Sequence, residues 1–298
     1  MSDDDRLDPA TEAFIAHRNL LFTVAYEMLG SVADAEDVLQ ETWLRWVTVD
    51  LNTVRHQRAY LVRIATRQAL ARLRTLGRRK ESYVGPWLPE PFLTAPDVAE
   101  DVELAESVSM AMLLVLETLS PTERAVFVLR EVFDFEYDEI AEAVSKTSVA
   151  VRQIAHRARA HVASRRPRKA PSRAETVAAL RAFQRAVETG DLQSLLNVLA
   201  PDVVLLSDGG GVARTVLQPI VGTSKVARLL EAGFTKVGTV MSAEPIQVNG
   251  GPALVVRVNG KVDSVLAVRV DHGLITGLYF VRNPEKLARM DRQWALSR

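Results

Sequence analysis

The sequence contains no cysteine. Disulfides, thiolate zinc sites and thiol nucleophiles are therefore excluded, and the chain fits a reducing compartment. No apolar run approaches the roughly 18 residues that a membrane-spanning helix needs. The segment Met1 to Asp8 is acidic and polar, so it does not read as a secretory signal. These absences predict a cytoplasmic protein with no membrane partner. Net charge is absent too, since 37 basic residues balance 37 acidic ones.

That balance hides a segregated pattern. From Arg63 to Lys80 every charged residue is basic, from Asp97 to Glu106 every one is acidic, and from Lys146 to Lys169 every one is basic again. Two basic stretches around an acidic one suggest two anion-binding surfaces joined by a linker. Solvated helix faces would give the same pattern. The 298 residues suffice for two or three domains, and 48% apolar with 25% charged residues is a globular proportion.

Residues 8–80 read as helices. Phe14, Leu20, Leu21, Val24, Ala25 and Met28 recur at helical spacing up to a break at Gly30-Ser31. Ser31 with Asp34 predicts the N-cap of a second helix reaching Val47, and a third is predicted from Gln57 to Leu76, stopping at Gly77. Residues 81–103 hold Gly85, Pro86, Pro89, Pro91 and Pro96, which predict an extended linker. Within it, Trp87-Leu88-Pro89-Glu90-Pro91-Phe92 is too apolar to stay in water, so it is expected to dock. Helices resume with one predicted from about Val102 to Leu119. Ser120-Pro121-Thr122-Glu123 is a strong helix start. Tyr137–Val144, the turn Ser145-Lys146-Thr147 and Ser148–Val162 form a helix-turn-helix candidate.

After a second linker at Pro167–Pro171 the pattern changes. Helices are predicted at Glu175–Glu188 and Leu192–Leu199. Strands are predicted at 203–207, 238–248, 253–258, 262–270 and 274–281, with hairpin turns at Asn259-Gly260 and Asp271-His272-Gly273. Residues 172–298 thus read as an α+β domain.

A helix-turn-helix can lay its second helix in the DNA major groove. Here that helix carries Ser148, Arg152, Gln153, His156 and Arg157, residue types that pair with base edges and phosphates. A small helical hairpin in a core is the bland alternative. Asp34, Asp37 and Glu41 share a helix face, with Gln40, Trp43 and Trp46 nearby, and such a face suits a basic partner.

At these residues the chain resembles extracytoplasmic-function (ECF) sigma factors, a group of the sigma-70 family. Ser120 to Arg130, Glu139-Ile140-Ala141-Glu142 and His156-Arg157-Ala158-Arg159 are similar to region 4. Asp34 to Leu44 resembles region 2.2, and Ala59 to Gln68 resembles regions 2.3 and 2.4. The resemblance implies two all-α sigma domains, a region 2 helical bundle at 8–80 and a region 4 helix-turn-helix at 104–166. It implies docking on core RNA polymerase, β and β′ subunits, through Asp34, Asp37, Gln40, Glu41 and Trp43. It implies contact with the −10 element through Asn52, His56, Arg63 and Arg67, and with the −35 element through Ser148, Arg152, Gln153, His156 and Arg157. A flipped-out base would need a pocket, which Asn52 and His56 would line. Arg72 and Arg74 are expected to attract phosphates too.

Residues 172–298 resemble the SnoaL-like, NTF2-type cone fold, whose fusion to a sigma factor defines the SigJ-like subgroup. Three motifs carry this: Trp87-Leu88-Pro89-Glu90-Pro91 in the linker, Asp208-Gly209-Gly210-Gly211, and Asn283-Pro284-Glu285-Lys286-Leu287. Val212 stands where the subgroup often has a basic residue. The resemblance implies an interdomain contact through Trp87, Leu88, Pro89, Asp208, Gly209, Gly210, Asn283, Pro284 and Leu287. It also implies that this domain tunes the sigma core in place of a separate anti-sigma protein. Trp87 is the expected anchor.

Two other readings stand beside this one. Cone folds include enzymes, and Asp202, Asp208, Asp263, His272 and Tyr279 are acid–base candidates, but they form no recognisable catalytic set. A small-molecule sensor cavity is the second. No catalytic residue, metal ligand or cofactor site is predicted. An ordinary repressor would not need a polymerase-docking helix.

Overall fold

A computed structural model describes residues 8–94, 107–165, 172–234 and 241–288 and divides into two compact units. Of the described residues, 8–79 and 115–165 make the first, and 80–94, 107–114, 172–234 and 241–288 make the second.

The first unit is helical. Helix α1 (Pro9–Leu29) ends where Gly30 takes a left-handed φ of 65°, and α2 (Val32–Trp46) starts on the Ser31 hydroxyl, which accepts from the Asp34 N–H. A 3-10 turn (Leu51–Thr53) leads into α3 (Gln57–Glu81). The expected stop of α3 at Gly77 does not occur. Gly77 lacks the left-handed backbone that ends a helix, and mid-helix glycine costs only about 1 kcal/mol.

Helix α4 (Met110–Leu116) begins in the second unit, and the first resumes at Val115; there α5 (Pro121–Phe127) starts on a complete Ser120–Glu123 capping box. The helical path continues through a π turn at Val128–Val132. Helices α6 (Tyr137–Val144) and α7 (Ser148–Ala163) follow, separated by Ser145 in the left-handed region and Thr147 as N-cap. Trp46, read from sequence as part of a partner-facing patch, is instead core. It is fully buried, and its Nε1 donates to the Ala10 carbonyl at 2.7 Å.

The second unit is a sheet covered on both faces. Helices α8 (Arg173–Thr189) and α9 (Leu192–Val198) lead into β1 (Leu199–Asp208). Then come β2 (Ile220–Val221), α10 (Thr223–Phe234), β3 (Met241–Val248), β4 (Gly251–Val258), β5 (Lys261–Asp271), β6 (Leu274–Val281) and α11 (Pro284–Leu287). Strand β2 and helix α10 were not anticipated from the sequence. Residues 238–240, expected to open β3, lie outside the described residues, as do Pro167–Pro171.

The strand order is β2-β1-β6-β5-β4-β3. Pairing is antiparallel except between β1 and β6, which run parallel. The long connection through α10 and the β3–β5 meander makes that parallel pairing possible. Along β5, Leu266 packs on one face with Phe183 and Val226, while Val265 and Ala267 pack on the other. Leu88 and Met110, from the segment 80–114, cover that second face together with Leu287. Cover on both sides explains why Ala253–Val256 of β4, Val265–Val268 of β5 and Leu278–Val281 of β6 are apolar at consecutive positions.

Candidate functional site

Helix α7 turns about 100° per residue, so its side chains sort into two faces. Val151, Ile154, Ala155, Ala158 and Val162 are buried, while Arg152, Gln153, His156 and Arg157 are all exposed on the opposite side. Ser148 is half-buried and its hydroxyl donates to Asp138. Arg157 lies 4.0 Å from Glu123. The hydrogen bonds from Ser120 hold the Glu123 carboxyl below its ordinary pKa, with help from Arg157 and His161.

The acidic face of α2 is not a free patch. Arg72 on α3 reaches Asp34 at 2.7 Å, Glu41 at 3.3 Å and also Asp37. Burial opposes the Arg72 charge, but the Asp34 hydrogen bond and the three carboxylates outweigh it and hold its pKa above the ordinary value. The expectation that Arg72 attracts phosphates therefore needs correction, because its charge is already met within the unit. Asp37, Gln40 and Glu41 remain exposed at the surface, and Trp43 packs its ring against Phe14 at 5.1 Å.

In the segment before α3, Asn52 is exposed, and both its N–H and its side-chain amide donate to Asp50 Oδ1, at 3.0 and 3.1 Å. His56 is exposed nearby in sequence. Arg63 and Arg67 are engaged by the helix-turn-helix itself. Arg63 Nη1 meets Glu142 Oε2 at 2.9 Å, and Arg67 Nη2 donates to the Glu142 carbonyl at 2.8 Å. These residues line an open groove of about 610 Å³ together with Lys146 and the start of α7.

In the second unit the three motifs converge on Asp208. Its carboxylate is fully buried. It accepts from Tyr83 Oη at 2.6 Å, the Gly210 N–H at 3.0 Å, the Leu88 N–H at 2.9 Å and Lys286 Nζ at 2.6 Å. Four donors replace the water lost on burial. Burial and the Asp208 carboxylate push the Tyr83 phenol well above its ordinary pKa, so it stays a donor.

Gly210 has φ +65°, and a Cβ there would sit 2.5 Å from the Asn283 side chain, so only glycine fits. Asn283 donates to Tyr83 Oη at 2.8 Å, and Lys286 also bonds the Leu88 carbonyl. A Cβ on Gly209 would strike the Ala213 carbonyl at 2.4 Å. Further along, Thr94 N–H donates to Gln247 O and Asn249 N–H to Phe92 O, adding this segment to the β3 edge.

The apolar weight differs from the expectation placed on Trp87. Leu88 and Phe92 are fully buried and Pro89 is buried, whereas Trp87 is half-exposed and lies under two ammonium groups, Lys80 at 3.5 Å and Lys286 at 4.1 Å. Pro284 opens α11 just after the Asn283 cap, and Leu287 packs beside Leu88.

Sequence reasoning assigned neither Tyr83 nor Asn249 to this site, and it quoted Lys286 within the Asn283–Leu287 motif without giving it a contact. A polar side chain flanking a motif gives no sign of burial until the motifs meet. The five acid–base candidates do not gather. Asp202 is exposed and Asp263 pairs with Arg282 at 2.6 Å. His272 is an exposed turn residue with φ +48°, and Tyr279 is buried against Leu88 and Met110. Asp208 holds the linker.

Comparison with known proteins accords with this architecture. The sigma-70 region 2 family matches residues 13–79, and the sigma-70 region 4 family matches residues 109–162. The ECF RNA polymerase sigma factor SigJ of Mycobacterium tuberculosis (strain ATCC 25618 / H37Rv) is 33% identical over 289 residues, covering 92% of this chain and 91% of its own length. The probable ECF RNA polymerase sigma factor SigI of the same species is 31% identical over 283 residues, 94% of this chain and 95% of SigI. The crystal structure of Mycobacterium tuberculosis SigJ superposes with a TM-score of 0.74 at 31% identity, covering 94% of this chain and 99% of that one. With both sigma regions present in order, and with relatives alike over nearly their whole length, the chain belongs to the ECF RNA polymerase sigma factors, which bind core RNA polymerase and promoter DNA to initiate transcription.

Proposed function

We propose that this sigma factor reads the −35 element with Ser148, Arg152, Gln153, His156 and Arg157. The observation that carries this is the exposure of the last four on one face of α7. A lost bidentate base contact costs about 1–3 kcal/mol and relaxes specificity at that base, whereas a lost phosphate contact weakens all sequences alike. Asn52, His56, Arg63 and Arg67 serve the −10 element, with Arg63 and Arg67 released from Glu142 when they do. Asp34, Asp37, Gln40, Glu41 and Trp43 face core polymerase. Arg72 presets that acidic surface rather than competing for DNA.

The second unit acts on the sigma core as a regulatory domain, not as an enzyme. Its support is the Asp208 site, which spends Tyr83, Leu88, Asn283 and Lys286 on holding the linker, and the scatter of the other acid–base groups. A linker bound this way limits where the flanking sigma regions can go, so no separate anti-sigma protein is required. Run-off transcription with core polymerase tests both parts. Alanine at Arg152, Gln153, His156 and Arg157 should abolish selection of the −35 element. Asp208→Asn should change transcript yield while leaving promoter selection intact. Selection that survives the four alanines, or yield indifferent to Asp208→Asn, would overturn the corresponding part.

A further inference from the structure

We propose that Tyr137 is a positioning residue for promoter binding, holding Arg152 and Arg159 of α7 in the orientation that meets DNA. The inference rests on the reading of α7 as the −35 helix. Tyr137 is the first residue of α6 and is half-buried. Its ring centroid lies 5.4 Å from the Arg152 guanidinium carbon, and its hydroxyl accepts from Arg159 Nη2 at 3.0 Å. Arg152 and Arg159 are seven residues apart, two helical turns, and so lie on one side of α7 with His156 between them. One aromatic side chain on the neighbouring helix therefore restrains both arginines.

The restraint has its own support. Arg130 lies 4.9 Å from the same ring, and its Nη1 donates to the Phe135 carbonyl at 2.9 Å, fixing the segment that enters α6. Glu131 also pairs with Arg159 at 3.1 Å, so this arginine, unlike Arg152, exchanges a carboxylate for the phosphate when it meets DNA. A free arginine loses much rotamer freedom when it binds, and holding it beforehand lowers that cost. The choice of an aromatic ring matters. Carboxylates neutralise Arg72, whereas an aromatic face attracts Arg152 and leaves its full charge for a phosphate.

The test uses the full chain assembled with core polymerase on a promoter fragment, with affinity measured across a salt series. Tyr137→Leu should weaken binding roughly fivefold to tenfold and flatten the salt slope by about one, the signature of one lost phosphate contact. Tyr137→Leu added to Arg152→Ala/Arg159→Ala should cost less than about twofold more, since its targets are gone. Equal losses in both backgrounds, or wild-type affinity and slope for Tyr137→Leu, would overturn the proposal. If the double arginine variant itself binds as wild type, the −35 reading of α7 fails instead, and the inference with it. Should leucine loosen the helix pair, Tyr137→Phe keeps the packed ring and removes only the hydroxyl. Then Tyr137→Phe and Arg159→Ala should each weaken binding roughly twofold to threefold, and the pair together no more than either alone. A loss for the pair that multiplies the two single losses would also overturn the proposal.

Discussion

Arg124 donates its Nε to the carbonyl of Glu27 at 2.9 Å, and the arginine is only 2% exposed. Glu27 lies in the last turn of α1, where carbonyls lack helical partners and the helix dipole is negative. The opposite arrangement occurs in the same unit, where Arg67 of region 2 donates to the Glu142 carbonyl in the last turn of α6. Each sigma region thus supplies an arginine that caps a helix of the other.

The two caps differ in burial and so in expected weight. Arg124 also pairs with Glu117 at 2.6 Å. Removing a buried, paired guanidinium strands its partners, so Arg124→Met should destabilise the helical unit by about 3 kcal/mol. Urea denaturation followed by amide hydrogen exchange in α1 and α5 measures this. A loss below about 1 kcal/mol would contradict the buried cap.

Glu142 is exposed, and surface pairs contribute about 0–1 kcal/mol. Glu142→Ala should therefore leave stability nearly unchanged. It should strengthen binding of a single-stranded −10 oligonucleotide by the free protein, because Arg63 loses an intramolecular competitor. Fluorescence anisotropy with a labelled oligonucleotide reads the change, and unchanged or weaker binding would count against the −10 role of Arg63.

In the second unit, Asp208→Asn should destabilise by about 3–5 kcal/mol, since Lys286 would keep a buried charge with its carboxylate gone. Lys286→Met in the same chain should recover part of that loss, because the two changes share one contact. Hydrogen exchange of β1 and β6 amides reports both. Losses that simply add would mean that the ion pair is not coupled.

The capping box of α5 gives a pH test. The Glu123 carboxyl titrates below its ordinary pKa when folded, chiefly because of Ser120. Its contribution to stability is therefore complete above about pH 4.5 and is lost as pH falls through the lowered folded value. Ser120→Ala should cost about 1 kcal/mol at neutral pH, and less in acid where the wild-type box has already weakened. Denaturation at pH 7 and at pH 3 checks the sign, and an equal cost at both values would refute it.

The sequence determined the local elements closely where capping and turn chemistry are explicit. Ser31, Ser120, the Ser145-Lys146-Thr147 turn, Asn259-Gly260 and His272-Gly273 all stand where the backbone needs them. Such signals act over three or four residues, so a single chain displays them. It also determined the order of the two sigma regions, because their motifs are contiguous. It misplaced the end of α3 at Gly77, since glycine permits a stop without imposing one.

Only the tertiary structure decided which charges are free. Arg72 looked like a phosphate ligand until α2 brought three carboxylates to it, and Arg63 and Arg67 looked open until Glu142 arrived from 75 or more residues away. The structure likewise moved the weight of the linker from Trp87 to Leu88 and Phe92, and it made Tyr83 and Lys286 partners of Asp208 across separations of 125 and 78 residues. Burial and ion pairing depend on what the rest of the chain delivers to a side chain, and that is fixed by packing rather than by its neighbours in sequence.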